Sequence, residues 1–249
     1  QVMAQVQGVD AVAHAQRLAD LHDVLAAVAE EAVVEAGAGD DAAGLLPLFL
    51  KHFSEAYPKL KIHIKEAITD DIMRLLRRGE MDMGLLATPL SDPDIAEYPV
   101  FQEEFFAYVS HNEGFPQKKY VLPAHIDPSK LWLLQEGHCL RNQIFNLCEL
   151  KKNMEFGTAV WYEAGSIETL INLVDHHGGI TIIPKLATMH LKSHQKKNLR
   201  EFNFPKPVRE ISLVTSHNFP RQLLLEKLRA EIMARSPIGM QEGQRVVER

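Results

Sequence analysis

Strand-like and helix-like segments alternate along this 249-residue chain from Leu45 to about residue 235. The segment KIHIKEA alternates apolar and polar residues, as a half-buried strand does, and TDDIMRLLRRGE then follows with a capping residue and a closing glycine. Strand patterns separated by helices of about ten to fifteen residues favour an α/β fold with a mostly parallel sheet and helices on both faces. Ligand and redox sites in such sheets lie beyond the carboxyl ends of the strands.

The individual segments follow from the same patterns. Helices are predicted at 45–60, 69–80, 166–179 and 221–235, and strands at 61–67, 81–87, 104–110, 130–137, 180–184 and 210–217. Residues 1–36 carry leucines and valines at helical spacing and predict a helical, linker-like segment, either dimerising or not native to the domain. The tail at 236–249 is predicted to be disordered.

Composition and charge exclude several classes of protein. The net charge of −6 argues against binding to a nucleic-acid backbone, and no apolar run is long enough to span a membrane. The start of the chain lacks a signal peptide and an initiator Met, so we expect a piece excised from a longer product. Two cysteines in a chain of this length indicate a reducing, cytoplasmic compartment rather than a disulfide scaffold.

Both cysteines lie in the stretch QEGHCLRNQIFNLCEL, which directly follows the predicted strand KLWLLQEG. A turn at Gly137 followed by a helix places Cys139 in the first helical turn. There the helix dipole and the neighbouring His138 and Arg141 favour the thiolate. A thiolate can attack a peroxide and become a sulfenic acid, which a second thiol such as Cys148 resolves to a disulfide.

The spacing of the two cysteines limits how they could pair. In one continuous helix, nine residues separate them by roughly 13.5 Å and turn them to opposite faces. A disulfide needs Cα atoms within about 7 Å, so part of the segment would have to unwind. Two unrelated buried cysteines explain the spacing equally well at this point. Neither DHHGG (175–179) nor GAG (37–39) has the ligand spacing of a metal or dinucleotide site, so no cofactor is predicted.

Three stretches resemble one family of proteins. GHCLRNQ with a second cysteine nine residues after the first is similar to the redox segment of the peroxide-sensing LysR-type transcriptional regulators. The stretches SIETLINLVDHHGGITIIPKLA and LLPLFLKHFSEAYPKLKIHIKEAITDDIMRLLRRGEMDMGLLA resemble other parts of the LysR-type regulatory domain. The resemblance implies two Rossmann-like α/β subdomains of periplasmic-binding-protein type, joined by crossing strands and preceded by the helical segment.

The resemblance also implies roles for particular residues. Cys139 would be the peroxidatic cysteine and Cys148 the resolving one. His138, Arg141 and Thr69 would form the pocket for hydrogen peroxide. Asp40 stands where the family places a second pocket threonine, and a carboxylate there would disfavour a thiolate.

The implied protein is the sensor part of a transcription activator and not an enzyme. It would form a homodimer or homotetramer, contact DNA only through a helix-turn-helix domain that is not recognisable here, and act on RNA polymerase. The resemblance divides the chain into a first part of subdomain I (37–104), subdomain II with the redox segment (105–206) and a second part of subdomain I (207–235). A small-molecule-binding domain with structural cysteines, or a thiol peroxidase, are the alternatives.

Overall fold

The computed structural model describes residues 33–38, 42–111, 113, 120–150, 162–237 and 245–246. The strands are β1 (Val33–Ala38), β2 (Lys61–Glu66), β3 (Met83–Thr88), β4 (Ile95–Val109), β5 (Tyr120–Val121), β6 (Ile180–Pro184), β7 (Leu199–Phe202), β8 (Pro207–Ser216) and β9 (Arg245–Val246). The α-helices are α1 (Ala42–Ala56), α2 (Thr69–Arg77), α3 (Cys139–Leu147), α4 (Ile167–His177), α5 (Lys185–Thr188) and α6 (Gln222–Arg235). Short 3₁₀ helices span Pro123–His125, Pro128–Lys130 and Gln195–Asn198.

One long strand connects two lobes. The strands run in the order β2-β1-β3-β8-β4-β7-β5, with β6 paired to β4 and β9 to β8. The first part of β4, up to Glu104, pairs with β8, whereas the part from Phe105 onward pairs with β6 and β7. We define lobe 1 as β1, β2, β3, β8 and the first part of β4 with α1, α2 and α6. Lobe 2 is the second part of β4 with β5, β6, β7, α3, α4 and α5.

Each lobe has its own buried apolar side chains. In lobe 1, one cluster lies under α1 and α6 and includes Phe49 and Leu225, and a second lies under α2 and includes Ile72. A larger cluster in lobe 2 joins α3, α4 and β6. Burial of apolar side chains on both sheet faces is the main stabilising term for such a fold.

The structure confirms the predicted two-lobed α/β fold with a crossing strand, but the sheet is mixed rather than mostly parallel. β1 pairs in parallel with β2 and β3, whereas the long pairings of β3 with β8 and of β4 with β6, β7 and β8 are antiparallel. The chain crosses between lobes on β4 and returns on β8 in the opposite sense. Alternation of helix and strand patterns carries no information about that reversal.

One predicted strand is absent from the structure. KLWLLQEG forms no strand, since Leu131 and Leu134 make only isolated bridges, to Ile180 and Ala164. Its apolar run is buried as irregular chain, and periodicity alone does not distinguish such runs from strands.

The chain ends also differ from prediction where the structure describes them. The last residues of the predicted helical segment 1–36 lie in β1, and 1–32 fall outside the described residues. Arg245–Val246 form β9 against β8 rather than a disordered tail, whereas 238–244 and 247–249 fall outside the description, as does Asp40. The predicted limits of the subdomains, 37–104, 105–206 and 207–235, stay predictions, because strand pairing does not show which parts of the chain fold as independent units.

Candidate functional site

The turn before α3 packs against the start of α2. Gly137 has a φ of +90°, which glycine adopts without strain. A Cβ atom at Gly137 would lie 2.7 Å from Cδ1 of Ile68 and 3.6 Å from Oδ2 of Asp70. Ile68 is the N-cap residue of α2, and His138 is the N-cap residue of α3. A helix of lobe 1 and a helix of lobe 2 therefore begin side by side where the lobes meet.

Cys139 is the first residue of α3 and is only 1% exposed. Although α3 belongs to lobe 2, Cys139 belongs to the buried cluster of lobe 1, with Leu45, Leu85 and Leu186. Its position at a helix N-terminus places the positive end of the helix dipole beside the sulfur.

Cys148 lies at the opposite end of the same helix. It is the C-cap residue of α3, and its backbone N–H donates to the carbonyl oxygen of Ile144. It packs against the buried cluster of lobe 2, and burial raises the pKa of its thiol to about 12. Cys139 and Cys148 are not joined by a disulfide. With roughly 13.5 Å of helix rise between them, they are too far apart to bond without a change of structure.

The other predicted site residues divide into two groups. His138 and Thr69 are buried at the starts of α3 and α2, on either side of the contact made by Gly137. Arg141 instead faces lobe 2. Its Nη1 donates to the carbonyl oxygen of Leu134 at 2.7 Å, and its guanidinium lies 5.3 Å from the centre of the Phe145 ring. The structure thus places His138 and Thr69 at the two helix starts that meet at Gly137, whereas Arg141 contacts Leu134 and Phe145.

Sequence reasoning missed Gln143, which is fully buried. It lies four residues after Cys139, so the two side chains share one face of α3. This spacing could have indicated Gln143 from the sequence, because a polar residue one helical turn from a reactive cysteine can line the same pocket.

Sequence reasoning also missed a buried ion pair next to the hydrophobic cluster that contains Cys139. Oε1 of Glu103 accepts hydrogen bonds from Nε and Nη2 of Arg209 at 2.9 and 2.8 Å, and both side chains are 0% exposed. The other carboxylate oxygen, Oε2, accepts from the backbone N–H of Leu186 at 2.9 Å. Because Leu186 packs in the same cluster as Cys139, the pair supports the wall of the site.

The described residues offer no metal cluster. No group of three or more His, Cys, Asp or Glu side chains suits a metal ion within that part of the chain. The DHHGG stretch ends α4, where Asp175 accepts hydrogen bonds from Tyr108, Gln195 and Asn198. Each described helix lacks the combination of length and apolar character that a membrane crossing requires.

A two-lobed α/β domain with crossing strands, and with helices of both lobes starting at one site, is of the periplasmic-binding-protein class. The profile of the LysR substrate binding domain matches residues 29–236, and the chain belongs to this family.

Several similar proteins are named as regulators that respond to hydrogen peroxide or as OxyR. The chain is 28% identical to the hydrogen peroxide-inducible genes activator of Haemophilus influenzae, over 76% of this chain and 62% of that protein. It is 30% identical to the DNA-binding transcriptional dual regulator OxyR of Escherichia coli, over 77% of this chain and 62% of that protein. The crystal structure of OxyR from Porphyromonas gingivalis superimposes with a TM-score of 0.77 and 31% identity, covering 87% of this chain and all of that one.

These similarities confirm the predicted resemblance to the peroxide-sensing LysR-type regulators. The chain spans only about three fifths of the length of the curated relatives it matches. Those relatives are named as gene activators or regulators of transcription, and such proteins are not enzymes. The thiol peroxidase alternative therefore has no support.

Proposed function

We propose that the chain is the sensor domain of a peroxide-responsive transcription regulator, switched by a disulfide between Cys139 and Cys148. The observation that carries the proposal is that one helix places these thiols in two different hydrophobic clusters: Cys139 packs mainly with side chains of lobe 1, and Cys148 packs with side chains of lobe 2. A bond between them cannot form without moving at least one lobe's packing. The similarity to proteins named as hydrogen peroxide-inducible activators supplies the oxidant.

The chemistry requires two steps. The thiolate of Cys139 attacks one oxygen of hydrogen peroxide, the O–O bond breaks, and the leaving hydroxide takes a proton to become water. The sulfenic acid formed on Cys139 is then attacked by the sulfur of Cys148. The S–O bond breaks, the disulfide forms, and a second water molecule leaves. Two electrons pass from the two thiols to one peroxide molecule.

The surroundings of the thiols suit this order of events. Cys148 with a pKa of about 12 carries very little thiolate at neutral pH, so it does not compete with Cys139 for peroxide. We propose that His138 and Thr69, buried beside the start of α3, form the wall of the peroxide pocket. Arg141 would join them only once α3 has changed shape, because in the thiol form it contacts Leu134 and Phe145.

The rearrangement is the signal in this proposal. Closing the disulfide shortens the distance between the ends of α3 from roughly 13.5 Å to about 6 Å, so the helix loses turns. Leu140 and Ile144 then leave their places in the lobe 2 cluster, or Cys139 leaves the lobe 1 cluster. Either change alters the surface that a second subunit would meet.

The partners belong to the longer protein. We propose a homodimer or homotetramer that contacts DNA through a helix-turn-helix domain and acts on RNA polymerase. The names of the longer relatives support only the DNA binding and the regulation of transcription. Because a reversible thiol pair is reset in a reducing compartment, we propose a cytoplasmic location.

Thiol counting tests the proposal. Treating the reduced protein with a slight excess of hydrogen peroxide is expected to remove both thiols together and lower the mass by two hydrogens. Cys139→Ser should abolish the loss at Cys148, whereas Cys148→Ser should leave a sulfenic acid that a dimedone-type reagent captures. Loss of neither thiol in the wild type, or an unchanged response in Cys139→Ser, would favour a small-molecule-binding domain with structural cysteines.

A further inference from the structure

Two motifs in lobe 2 lie outside the cysteine site and take no part in the proposed switch. The stretch HLKSHQKKNLR (190–200) has four Lys or Arg and two His among its eleven residues, and no Asp or Glu. The stretch DHHGG (175–179) closes α4 with two more histidines. Since the whole chain has a net charge of −6, these motifs concentrate positive charge and hydrogen-bond donors on an otherwise acidic molecule.

Hydrogen bonds to Asp175 hold the two motifs side by side. Its Oδ2 accepts from Nε2 of Gln195 at 2.9 Å, and its Oδ1 accepts from Nδ2 of Asn198 at 3.2 Å. The hydroxyl of Tyr108, on β4, donates to the same Oδ1 at 2.6 Å. The 3₁₀ helix Gln195–Asn198 is thereby fixed to the end of α4 and to the sheet, which lowers the entropy cost of binding a partner there.

Four basic side chains flank this contact. Lys196 and Lys197 lie in the 3₁₀ helix, between the two residues that donate to Asp175. His176 and His177 directly follow Asp175 at the end of α4. All four side chains are exposed to solvent. We name these two lysines and two histidines the basic patch.

The lysines of the basic patch are not neutralised by nearby carboxylates. Elsewhere in the molecule, Lys206 pairs with Glu104 and Glu201 at 3.0 and 3.1 Å. Within the described part of the chain, the ammonium groups of Lys196 and Lys197 make no such pair. Their full charge is therefore available to an anionic partner.

The chemistry of the surface favours a nucleic-acid backbone over a protein. Each exposed large apolar side chain of the described chain lies outside the two motifs. Protein interfaces need buried aromatic or aliphatic anchors, whereas surfaces that bind nucleic acid are more polar and much more positively charged.

We propose that the basic patch binds the phosphate backbone of duplex DNA without reading its sequence. The lysine ammonium groups and the histidine N–H groups donate to phosphate oxygens, and counterions of the DNA are released. This contact adds to that of the helix-turn-helix domain in the longer protein. The choice of DNA as the polyanion rests on the proposed function, which brings a duplex to this domain. The acidic remainder of the chain keeps the contact weak, so it assists binding and does not replace the helix-turn-helix domain.

Fluorescence anisotropy of a short labelled DNA duplex, titrated with the 249-residue chain, tests the patch. At low salt we expect a dissociation constant on the order of 1 mM that rises steeply with NaCl. Combining Lys196→Gln with Lys197→Gln should weaken binding at least about tenfold. It should also lower the slope of log Kd against log [NaCl] by about two, because each lysine–phosphate contact contributes about 0.9.

The matched control combines Lys51→Gln with Lys65→Gln, two exposed lysines of lobe 1. This variant has the same net charge as the patch variant and should bind within about twofold of wild type. Equal weakening by the two double variants would show that only net charge matters and would overturn the patch, as would absence of binding by the wild type at low salt.

Two further outcomes are distinguishable. Poly-glutamate that binds the chain as tightly as DNA would overturn the choice of DNA and favour an acidic protein as the partner. DNA binding by the patch requires neither cysteine, so a failed thiol test overturns the proposed switch and leaves the patch standing. Thiol loss in peroxide without any DNA binding overturns the patch alone.

Discussion

The two ends of α3 lie in different hydrophobic environments. At the N-terminal end, Cys139 packs with lobe 1 side chains, where the helix begins beside α2. At the C-terminal end, Cys148 packs against the lobe 2 cluster and its thiol has a strongly raised pKa. The difference suits the two cysteines to different steps, attack on peroxide for Cys139 and disulfide formation for Cys148. Only Cys139 lies at the positive end of the helix dipole. The difference also couples the lobes, since joining the two sulfurs must disrupt one of the two clusters.

A comparison of α3 with α4 shows which helix is easier to unwind. The side chain of Ser166 caps α4 by accepting a hydrogen bond from the backbone N–H of Thr169 at 3.2 Å. His138 makes no such side-chain bond at the start of α3. A side-chain cap is worth about 1 kcal/mol, so α3 starts with less local support than α4.

The largest expected effect concerns the reactivity of Cys148. Because burial raises its pKa from 9.0 to about 12, its thiolate fraction at pH 8 is roughly a thousandfold below that of an ordinary thiol. Alkylation of Cys148 by iodoacetamide in a Cys139→Ser variant, followed by mass spectrometry, should be slower by that order. The same variant in denaturant is the control and should react at the rate of a peptide thiol. Equal rates in the two conditions would show that Cys148 is not buried as described.

The next effect concerns the ion pair at the crossing of the lobes. Glu103→Gln leaves the buried guanidinium of Arg209 uncompensated and should lower the free energy of unfolding by about 3–5 kcal/mol, measured by urea denaturation. Glu104→Gln is the matched control. Lys206 then retains Glu201 at 3.1 Å, so the loss should stay within about 1 kcal/mol. Similar losses in the two variants would mean that the Glu103 pair has no special role.

The smallest expected effect concerns the packing of Gly137, before α3, against Ile68 at the start of α2. Gly137→Ala places a Cβ atom 2.7 Å from Ile68 on a backbone with φ of +90°, and should cost about 2–4 kcal/mol of stability. Gly79→Ala has a similar φ, +68°, but nothing within 4 Å, so backbone strain alone should cost about 1–2 kcal/mol. Adding Ile68→Val to Gly137→Ala should recover part of the difference. Equal melting temperatures for the two glycine variants would argue against the packed turn.

Some of the fold could be predicted from local patterns. The strand β2, the helices α2 and α4 and the start of α3 at Cys139 follow from local patterns, and the structure has them close to the predicted limits. Of the predicted caps, Ser166 caps α4, whereas α2 begins after Ile68 without the expected side-chain cap. Their signals lie within about ten neighbouring residues, which is the range over which propensity acts.

Other features depend on contacts between distant residues. Glu103 and Arg209 are 106 positions apart, and neither has a local pattern that marks it as buried. Likewise, nothing local indicates that Cys139, on a lobe 2 helix, packs in lobe 1. The first part of β4 was missed because its half-buried residues depend on pairing with β8, which begins at Pro207. Long-range pairing of this kind overrides local preference.

In the proposed switch, oxidation joins the two ends of α3 and the helix unwinds. Hydrogen exchange of backbone amides in 140–147, compared before and after treatment with peroxide, tests it most directly. If the switch works as proposed, a Cys139–Cys148 disulfide appears in the peptide map and protection of these amides falls at the same time. In Cys148→Ser, protection should persist after the same treatment. A disulfide that forms while the amides of α3 keep their full protection would contradict the account.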